Sequence, residues 1–313
     1  MKKKFRIIFM GTPLFSVPAL KALHESGYDI ARVVTQPDRP KGRGRKVSPS
    51  AVKAAALDLG YRILQPTSIK TTEFNDLIAR QKPDFLVVIA FGKILPENIL
   101  ALPRKGTINV HASLLPKYRG PAPIQWAVIN GDKETGVCTQ MMEKELDTGD
   151  LLLSVHETIK PDDTAGDLHD RLALKGATVL IDTLKGLAAK TIQPVNQDHS
   201  LATYAPMLTK DDGLINWNQP AESLESFIRG VTPWPGAYTF LGDKRLKIFK
   251  SRPLPTEITA PPGTVLQGFP DELRIATAKW VLAVEEIQGA SGKRLSIKDF
   301  LRGHPIPPDA TLM

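Results

Sequence analysis

Asn109 and His111 close an apolar run near the middle of the chain. Residues at i and i+2 of a strand share a face, so the two side chains would project together from the strand's end. That sets a hydrogen-bond-donating amide beside a titratable ring. Ser113, Leu114, Leu115 and Pro116 then turn the chain away, and Gly120-Pro121-Ala122-Pro123 gives a rigid entry to a helix, where proline is tolerated in the first turn. A crevice between a strand end and a helix is where open α/β sheets bind ligands. A carboxylate to orient the ring is available in the stretch that follows, where Glu143, Glu145, Asp147 and Asp150 stand close together. Asp in Leu146-Asp147-Thr148-Gly149 could equally organise a turn.

The elements that must hold these residues read as a doubly wound α/β domain. Segments 6–10, 31–35, 85–90 and 107–111 have strand texture, and 16–25, 50–59 and 71–81 have helical spacing. Such alternation predicts a mostly parallel, Rossmann-like sheet with helices on both faces. Strands are expected at 136–142 and 151–159, which places Asp147 in the loop between them, a position that suits a functional carboxylate. A long amphipathic helix over 164–187 would close a first domain of residues 1–189, with 190–206 as a linker. From 207 to 313 the texture changes to one helix at 222–229 and short strands at 238–241, 246–250, 263–267, 273–276 and 281–287, the pattern of a small β-barrel.

Composition narrows the function. The 313 residues hold one cysteine, Cys138, so an intramolecular disulfide or a cysteine zinc cluster is excluded and a reducing compartment fits. The apolar run after Lys2-Lys3-Lys4 is too short for a secretory signal, and no stretch approaches a membrane span, so a cytoplasmic protein with no membrane partner is expected. The net charge is +8, and residues 1–60 carry all of it, with twelve cations against four carboxylates. Five of those cations, Arg39, Lys41, Arg43, Arg45 and Lys46, lie in one Gly- and Pro-containing loop after the second strand. That loop sits on the same edge as the other strand ends, and its arginines suit phosphate. A field so localised would steer a nucleic acid to one region with strongly salt-dependent affinity.

Taken together, Asn109-Val110-His111-Ala112-Ser113-Leu114-Leu115-Pro116-Lys117-Tyr118-Arg119-Gly120 and Leu146-Asp147-Thr148-Gly149-Asp150 resemble the formyltetrahydrofolate-dependent formyltransferase family. The resemblance extends over nearly the whole chain. It implies 10-formyltetrahydrofolate as formyl donor, no metal, and a catalytic set of Asn109, His111 and Asp147, with Asp147 chosen among the four carboxylates because the matching position carries this role in the family. It also implies folate contacts at Ser113, Leu114, Leu115 and Pro116, with apolar pocket walls around Phe91, Gly92, Ile94 and Leu95.

The opening Met10-Gly11-Thr12-Pro13, the basic segment 38–46 and the carboxyl-terminal domain resemble the members of the family that act on a charged initiator tRNA. In those members the basic segment contacts the acceptor arm, which makes Arg39, Lys41, Arg43, Arg45 and Lys46 the expected tRNA-binding residues. The second domain is then an oligonucleotide-binding-like barrel that assists, and the chain is expected to act as a monomer.

The chemistry fits the residues. Attack of an amine on a formyl carbon makes a tetrahedral intermediate whose oxygen is negative, and preorganised donors at such an oxygen contribute roughly 3 to 4 kcal/mol each. The Asn109 amide and a protonated His111 can supply them, and a neighbouring carboxylate would keep the ring charged and help remove the amine proton. An α-amine is already about a tenth neutral at pH 7, so no covalent enzyme intermediate is required. Two rivals remain from the residues alone. One keeps the chemistry but takes an amino-sugar nucleotide, a glycinamide ribonucleotide or water as acceptor, against which the basic loop argues. The other is a noncatalytic RNA-binding protein, which leaves Asn109, His111 and Asp147 unexplained as a set.

Overall fold

The computed structural model describes residues 4–41, 46–290 and 292–313, with the Lys41 and Lys46 side chains excepted. The chain forms two units. The first comprises residues up to Pro123, Thr135–Thr158 and His169–Ala205; the second comprises Ile124–Glu134, Ile159–Leu168 and Pro206–Met313.

In chain order the elements are β1 (Arg6–Gly11), α1 (Val17–Glu25), β2 (Asp29–Val34), β3 (Arg39–Lys41), β4 (Lys46–Ser48), α2 (Ala51–Asp58), β5 (Ile63–Leu64) and α3 (Thr72–Arg80). There follow β6 (Phe85–Ile89), α4 (Glu97–Leu100), β7 (Thr107–His111), α5 (Pro123–Ile129), β8 (Glu134–Met141), β9 (Leu151–Thr158) and α6 (Ala165–Ala189). Seven strands make one sheet in the order β5-β2-β1-β6-β7-β8-β9. The first five run parallel, and β8 is antiparallel to β7.

Parallel strands covered on both faces read as continuous apolar runs, and β6 and β7 are buried along their whole length. On one face Ile8, Met10, Leu86 and Val88 pack with Phe74 and Ile78 of α3 and with Phe91, Leu95 and Ile99. Helix starts are fixed locally: the Ser50 hydroxyl accepts from the Lys53 N–H and the Thr71 hydroxyl from the Phe74 N–H. Each such cap contributes about 1 kcal/mol. Helix α6 lies close over β7 and β8. At Gly176 a Cβ would stand 3.2 Å from Val110 and 3.6 Å from Val137, and the Thr183 and Thr139 hydroxyls meet at 2.7 Å. This packing holds the β7 end that carries Asn109 and His111.

Residues 190–206, expected as a linker, are instead structured within the first unit as far as Ala205. Val195 exchanges backbone hydrogen bonds with Leu151, and Tyr204 bridges to Arg119. Gln197 and Ala205 are buried. The basic segment also differs from the expected loop: β3 and β4 pair antiparallel, Arg39 opposite Ser48 and Pro40 opposite Val47, which makes it a hairpin. Arg43 and Arg45 lie outside the described residues.

The second unit holds α7 (Ala221–Gly230), β10 (Ala237–Leu241), β11 (Lys244–Leu254), β12 (Leu273–Ala276), β13 (Val281–Gln288), β14 (Leu295–Ser296) and α8 (Ile297–Gly303). Its antiparallel sheet runs β10-β11-β13-β12, with β14 beside β13. Register shifts around Lys250 curl the long β11–β13 pair into a half-barrel. Ala221, Leu224 and Ile228 of α7 pack into the core formed by Ile248, Ile275, Leu282 and Ile287. The strand expected at 263–267 is reduced to single bridges, Thr264 to Thr311 and Val265 to Ile275. Gly263 and Gly268 take φ of 89° and 84°, outside the strand region, and bound this short segment at either end. Among the described residues, no helix is long and apolar enough to cross a membrane.

Candidate active site

Strand β7 presents its polar residues at one end of the sheet, as alternation requires. Asn109 is 9% exposed and His111 6% exposed. The antiparallel register sets Gln140 of β8 opposite Asn109 and Cys138 opposite His111. Gln140 therefore shares the face of the pair, and its side chain reaches the loop after β8.

In that loop Asp147 turns back onto the pair. One carboxylate oxygen, Oδ1, accepts from Gln140 Nε2 at 3.0 Å and Asn109 Nδ2 at 3.3 Å, and lies 3.6 Å from His111 Nδ1. The other, Oδ2, accepts from the Gly120 N–H at 2.9 Å. Three donors thus hold a nearly buried carboxylate against the ring. The backbone is built for the reversal: Asp147 takes φ of 55°, and a Cβ at Gly149 would lie 1.8 Å from the Met141 carbonyl, which admits only glycine there. Glu143 and Glu145 are exposed, and Asp150 engages Met141 through its backbone carbonyl. Of the four carboxylates the sequence left open, the structure brings Asp147 together with Asn109 and His111.

The His111 ring has acceptors on both sides. Its Nε2 donates to the Tyr118 carbonyl at 2.9 Å, and its Nδ1 faces Asp147. A doubly protonated ring satisfies both, whereas a neutral ring satisfies one. The 3.6 Å separation at Nδ1 exceeds hydrogen-bond length, so this nitrogen is the less committed of the two. Cys138, directly across the ladder, is not a nucleophile. Burial above all, with the Asp147 charge adding to it, pushes its thiol up to about 12.

The residues expected at the folate fall into two groups. Loops 91–95 and 113–116 leave the carboxyl ends of the adjacent parallel strands β6 and β7, and so emerge at the same end of the sheet. Phe91 and Leu95 are committed to the core, while Gly92 is exposed and Ile94 is 77% exposed. The Phe91 and Gly92 carbonyls accept from Gln36 Nε2 at 3.1 and 3.0 Å, and the Thr12 hydroxyl also donates to Phe91. Ser113 is buried with its hydroxyl donating to the Lys117 carbonyl, and Leu115 is buried; Leu114 and Pro116 remain partly open.

The basic hairpin leaves the same end of the sheet through Gln36, whose Oε1 accepts from Arg39 at 3.1 Å. Its root is pinned by Asp38, which accepts from Lys53 Nζ at 2.6 Å and Gln65 Nε2 at 2.7 Å. Those two hydrogen bonds hold the Asp38 carboxyl below the usual carboxylate range. Sequence reading missed Gln140, Gly120, Gln36 and Asp38 as supports of the site. Gln140 had a usable signal, a polar residue on the cross-strand partner of Asn109. The others depend on contacts across long stretches of chain.

Comparison with known proteins supplies the family. The amino-terminal part, residues 3–184, matches the model described as formyl transferase, and residues 207–305 match the model of the formyl transferase C-terminal domain. The methionyl-tRNA formyltransferase of Caldanaerobacter subterraneus subsp. tengcongensis is 51% identical over 308 residues, covering 98% of this chain and 99% of that protein. Two solved structures share the fold. The N-formyltransferase of Helicobacter canadensis, in complex with folinic acid and dTDP-3-aminofucose, has a TM-score of 0.66 at 16% identity, covering 90% of this chain and 98% of its own. HypX of Aquifex aeolicus has a TM-score of 0.61 at 16% identity over 96% of this chain; the present chain spans 48% of HypX.

Proposed function

Because this chain belongs to the formyl transferase family, we propose that it transfers the formyl group of 10-formyltetrahydrofolate to the α-amine of methionyl-tRNA, with the initiator as its substrate. The reading is carried by one observation: Asn109, His111 and Asp147, 38 positions apart at the extremes, meet at one end of the sheet. Full-length identity of about half to a methionyl-tRNA formyltransferase supports the acceptor. The basic hairpin supports it independently, as a surface for phosphate.

The mechanism follows from the donors. The neutral α-amine attacks the formyl carbon, the new C–N bond forms, and the carbonyl pair moves onto oxygen. His111 Nδ1–H and the Asn109 amide face that oxygen, and their long contacts to Asp147 in the free protein, 3.6 and 3.3 Å, release to it readily. Asp147 receives the proton of the attacking nitrogen, directly or through water. Collapse of the intermediate breaks the bond to the folate nitrogen, which leaves with the proton Asp147 received, passed on directly or through water, and the carboxylate is restored. The Ser113 to Pro116 turn and the exposed part of loop 91–95 hold the heterocycle, offering backbone groups and apolar surface. The chain works in the cytoplasm, where charged initiator tRNA is found.

The test is transfer of labelled formyl from 10-formyltetrahydrofolate, with charged initiator methionyl-tRNA, uncharged tRNA and an amino-sugar nucleotide as parallel acceptors. Label on the charged tRNA alone is the expected result. Turnover with the sugar nucleotide in its place would overturn the acceptor while keeping the chemistry.

A further inference from the structure

We propose that residues 195–205 are a positioning strap for the catalytic histidine, with Gln197 and Thr203 as its two working side chains. The inference rests on the site reading above, in which His111 and Asp147 perform the transfer.

Gln197 is buried, and its amide nitrogen donates to the Asp147 carbonyl at 2.9 Å and the Gly149 carbonyl at 2.7 Å, on either side of Thr148. It also approaches Gln140 Oε1 at 3.3 Å, and Gln140 is itself a donor to the Asp147 carboxylate. One amide therefore clasps the turn in which Asp147 holds a left-handed φ of 55°, a conformation non-glycine residues adopt at a cost. The amide cannot turn over. Its Oε1 accepts from Arg119 Nη2 at 2.7 Å and Nε at 3.3 Å, and a flipped amide would set that oxygen against two carbonyls. Arg119 is 3% exposed, and among the described residues no carboxylate pairs with its guanidinium. A buried cation whose side-chain bonds go to Gln197 and His199 is an expensive device if it only fills space.

The other end of the strap serves the opposite side of the ring. The Thr203 hydroxyl accepts from the Tyr118 N–H at 2.8 Å, the Thr203 N–H donates to the Pro116 carbonyl at 3.3 Å, and its carbonyl accepts from the Arg119 N–H at 2.8 Å. Tyr118 sits at φ of 60°, and its carbonyl is the acceptor of His111 Nε2. Within seven residues the strap thus fixes both acceptors that face the His111 ring, the Asp147 carboxylate at Nδ1 and the Tyr118 carbonyl at Nε2. Neither Gln197 nor Thr203 touches the reacting atoms; each acts through another residue. The length of the strap matters because His111 ends β7 while its two acceptors come from two separate loops, and backbone register alone does not lock the three together.

The experiment is steady-state formyl transfer between 10-formyltetrahydrofolate and charged initiator methionyl-tRNA, using Gln197→Glu, Thr203→Val, His111→Ala and, as a core control, Leu184→Ala. Gln197→Glu keeps the volume and the acceptor for Arg119 but removes the donor to the two carbonyls. Its kcat should fall about 10- to 100-fold, the scale of a small misplacement of reacting groups. The KM values for both substrates should stay within about threefold, the signature of an interaction used in the transition state. Thr203→Val should fall less, in the same direction. Both variants should displace the pH profile of kcat, whereas Leu184→Ala, which only loosens the core, leaves the profile in place. Folded Gln197→Glu with unchanged kcat, or an unmoved profile in both variants, would overturn the strap. If Gln197→Glu does not fold, Thr203→Val decides alone, since it removes a single acceptor and no volume. His111→Ala separates the two ideas: a severe loss there beside Gln197→Glu at the parent kcat removes the strap, and parent-like activity there removes the site reading itself.

Discussion

The carboxylate loop around Asp147 and the basic hairpin of β3 and β4 leave the same sheet and are built on opposite principles. Asp147 is nearly buried, held by Gln140, Asn109 and the Gly120 N–H, and its turn closes only with glycine at Gly149. The hairpin is a short two-stranded ribbon, three residues to a strand, with Val47 exposed and its root tied down through Asp38. Chemistry on a formyl carbon needs donors placed to within a fraction of an ångström, because donors preorganised in a site that excludes water stabilise charge without reorganising. Holding a polyanion needs charge and reach, because phosphate contacts act over a Debye length and tolerate small displacements. One protein meets both demands by burying the first region and leaving the second open. The comparison predicts that damage to the buried loop appears in kcat and damage to the hairpin in KM.

The largest effect should come from His111→Ala. Loss of one donor to a developing oxyanion costs about 100- to 1,000-fold in kcat, and here the proton chemistry of the pair goes with it. Binding of charged tRNA to the variant, followed by fluorescence, should match the parent, because the ring faces Tyr118 and Asp147 and not the hairpin. A variant that lost tRNA affinity in step with kcat would erase the division of labour.

Charge loss on the hairpin should do the reverse. Arg43→Ala is expected to raise KM for charged tRNA and leave kcat near the parent value at saturation. The salt dependence of binding should become shallower by about 0.7 to 0.9 in log-log slope for each phosphate contact removed. Arg39→Ala should be milder in affinity and broader in consequence, since Arg39 also holds Gln36, which supports the Phe91 and Gly92 carbonyls. A change in folate KM in Arg39→Ala and none in Arg43→Ala would sharpen the contrast between the open hairpin and its anchored root.

These two regions were also unequally legible in the sequence. Asn109 and His111 could be placed on one face because alternation along a buried strand is a local rule, and β7 obeys it over its whole length. The doubly wound sheet was readable for the same reason, from apolar runs separated by amphipathic helices. Asp147 could be identified only through family likeness, since four carboxylates lie within eight residues and the choice among them is made by a left-handed turn and by donors from three other segments. Residues 190–206 read as a linker because they are polar and lack periodicity. What orders them is long-range pairing with Leu151 and Arg119, some 44 and 85 positions away, which no local pattern encodes. The strand expected at 263–267 was right in texture and has backbone partners in 274–276 and 309–312, but it is shortened to bridges at Thr264 and Val265 between glycines at positive φ.

The smallest predicted effect lies at the hairpin's root. Asp38 joins the hairpin to the rigid sheet through Lys53 and Gln65. Asp38→Asn keeps an acceptor for one of them and removes the ion pair, a contribution that solvent screening keeps small. A rise of a few-fold in KM for tRNA, with kcat and folate KM unchanged, is therefore expected. The sign of the pH dependence follows from the direction of the shift. The Asp38 carboxyl is held below its ordinary range, by the Lys53 hydrogen bond first and then by Gln65. The anchor is accordingly complete above the ordinary carboxylate range and is lost only as pH falls through the lowered value. Between about pH 5.5 and 8 the ratio of tRNA KM in Asp38→Asn to that in the parent should stay constant, because the ordinary aspartate value already lies near 4. A ratio that collapsed within that window would mean that the root is set by a different titrating group, and that the hairpin is less independent of the buried site than their separate hydrogen-bond networks imply.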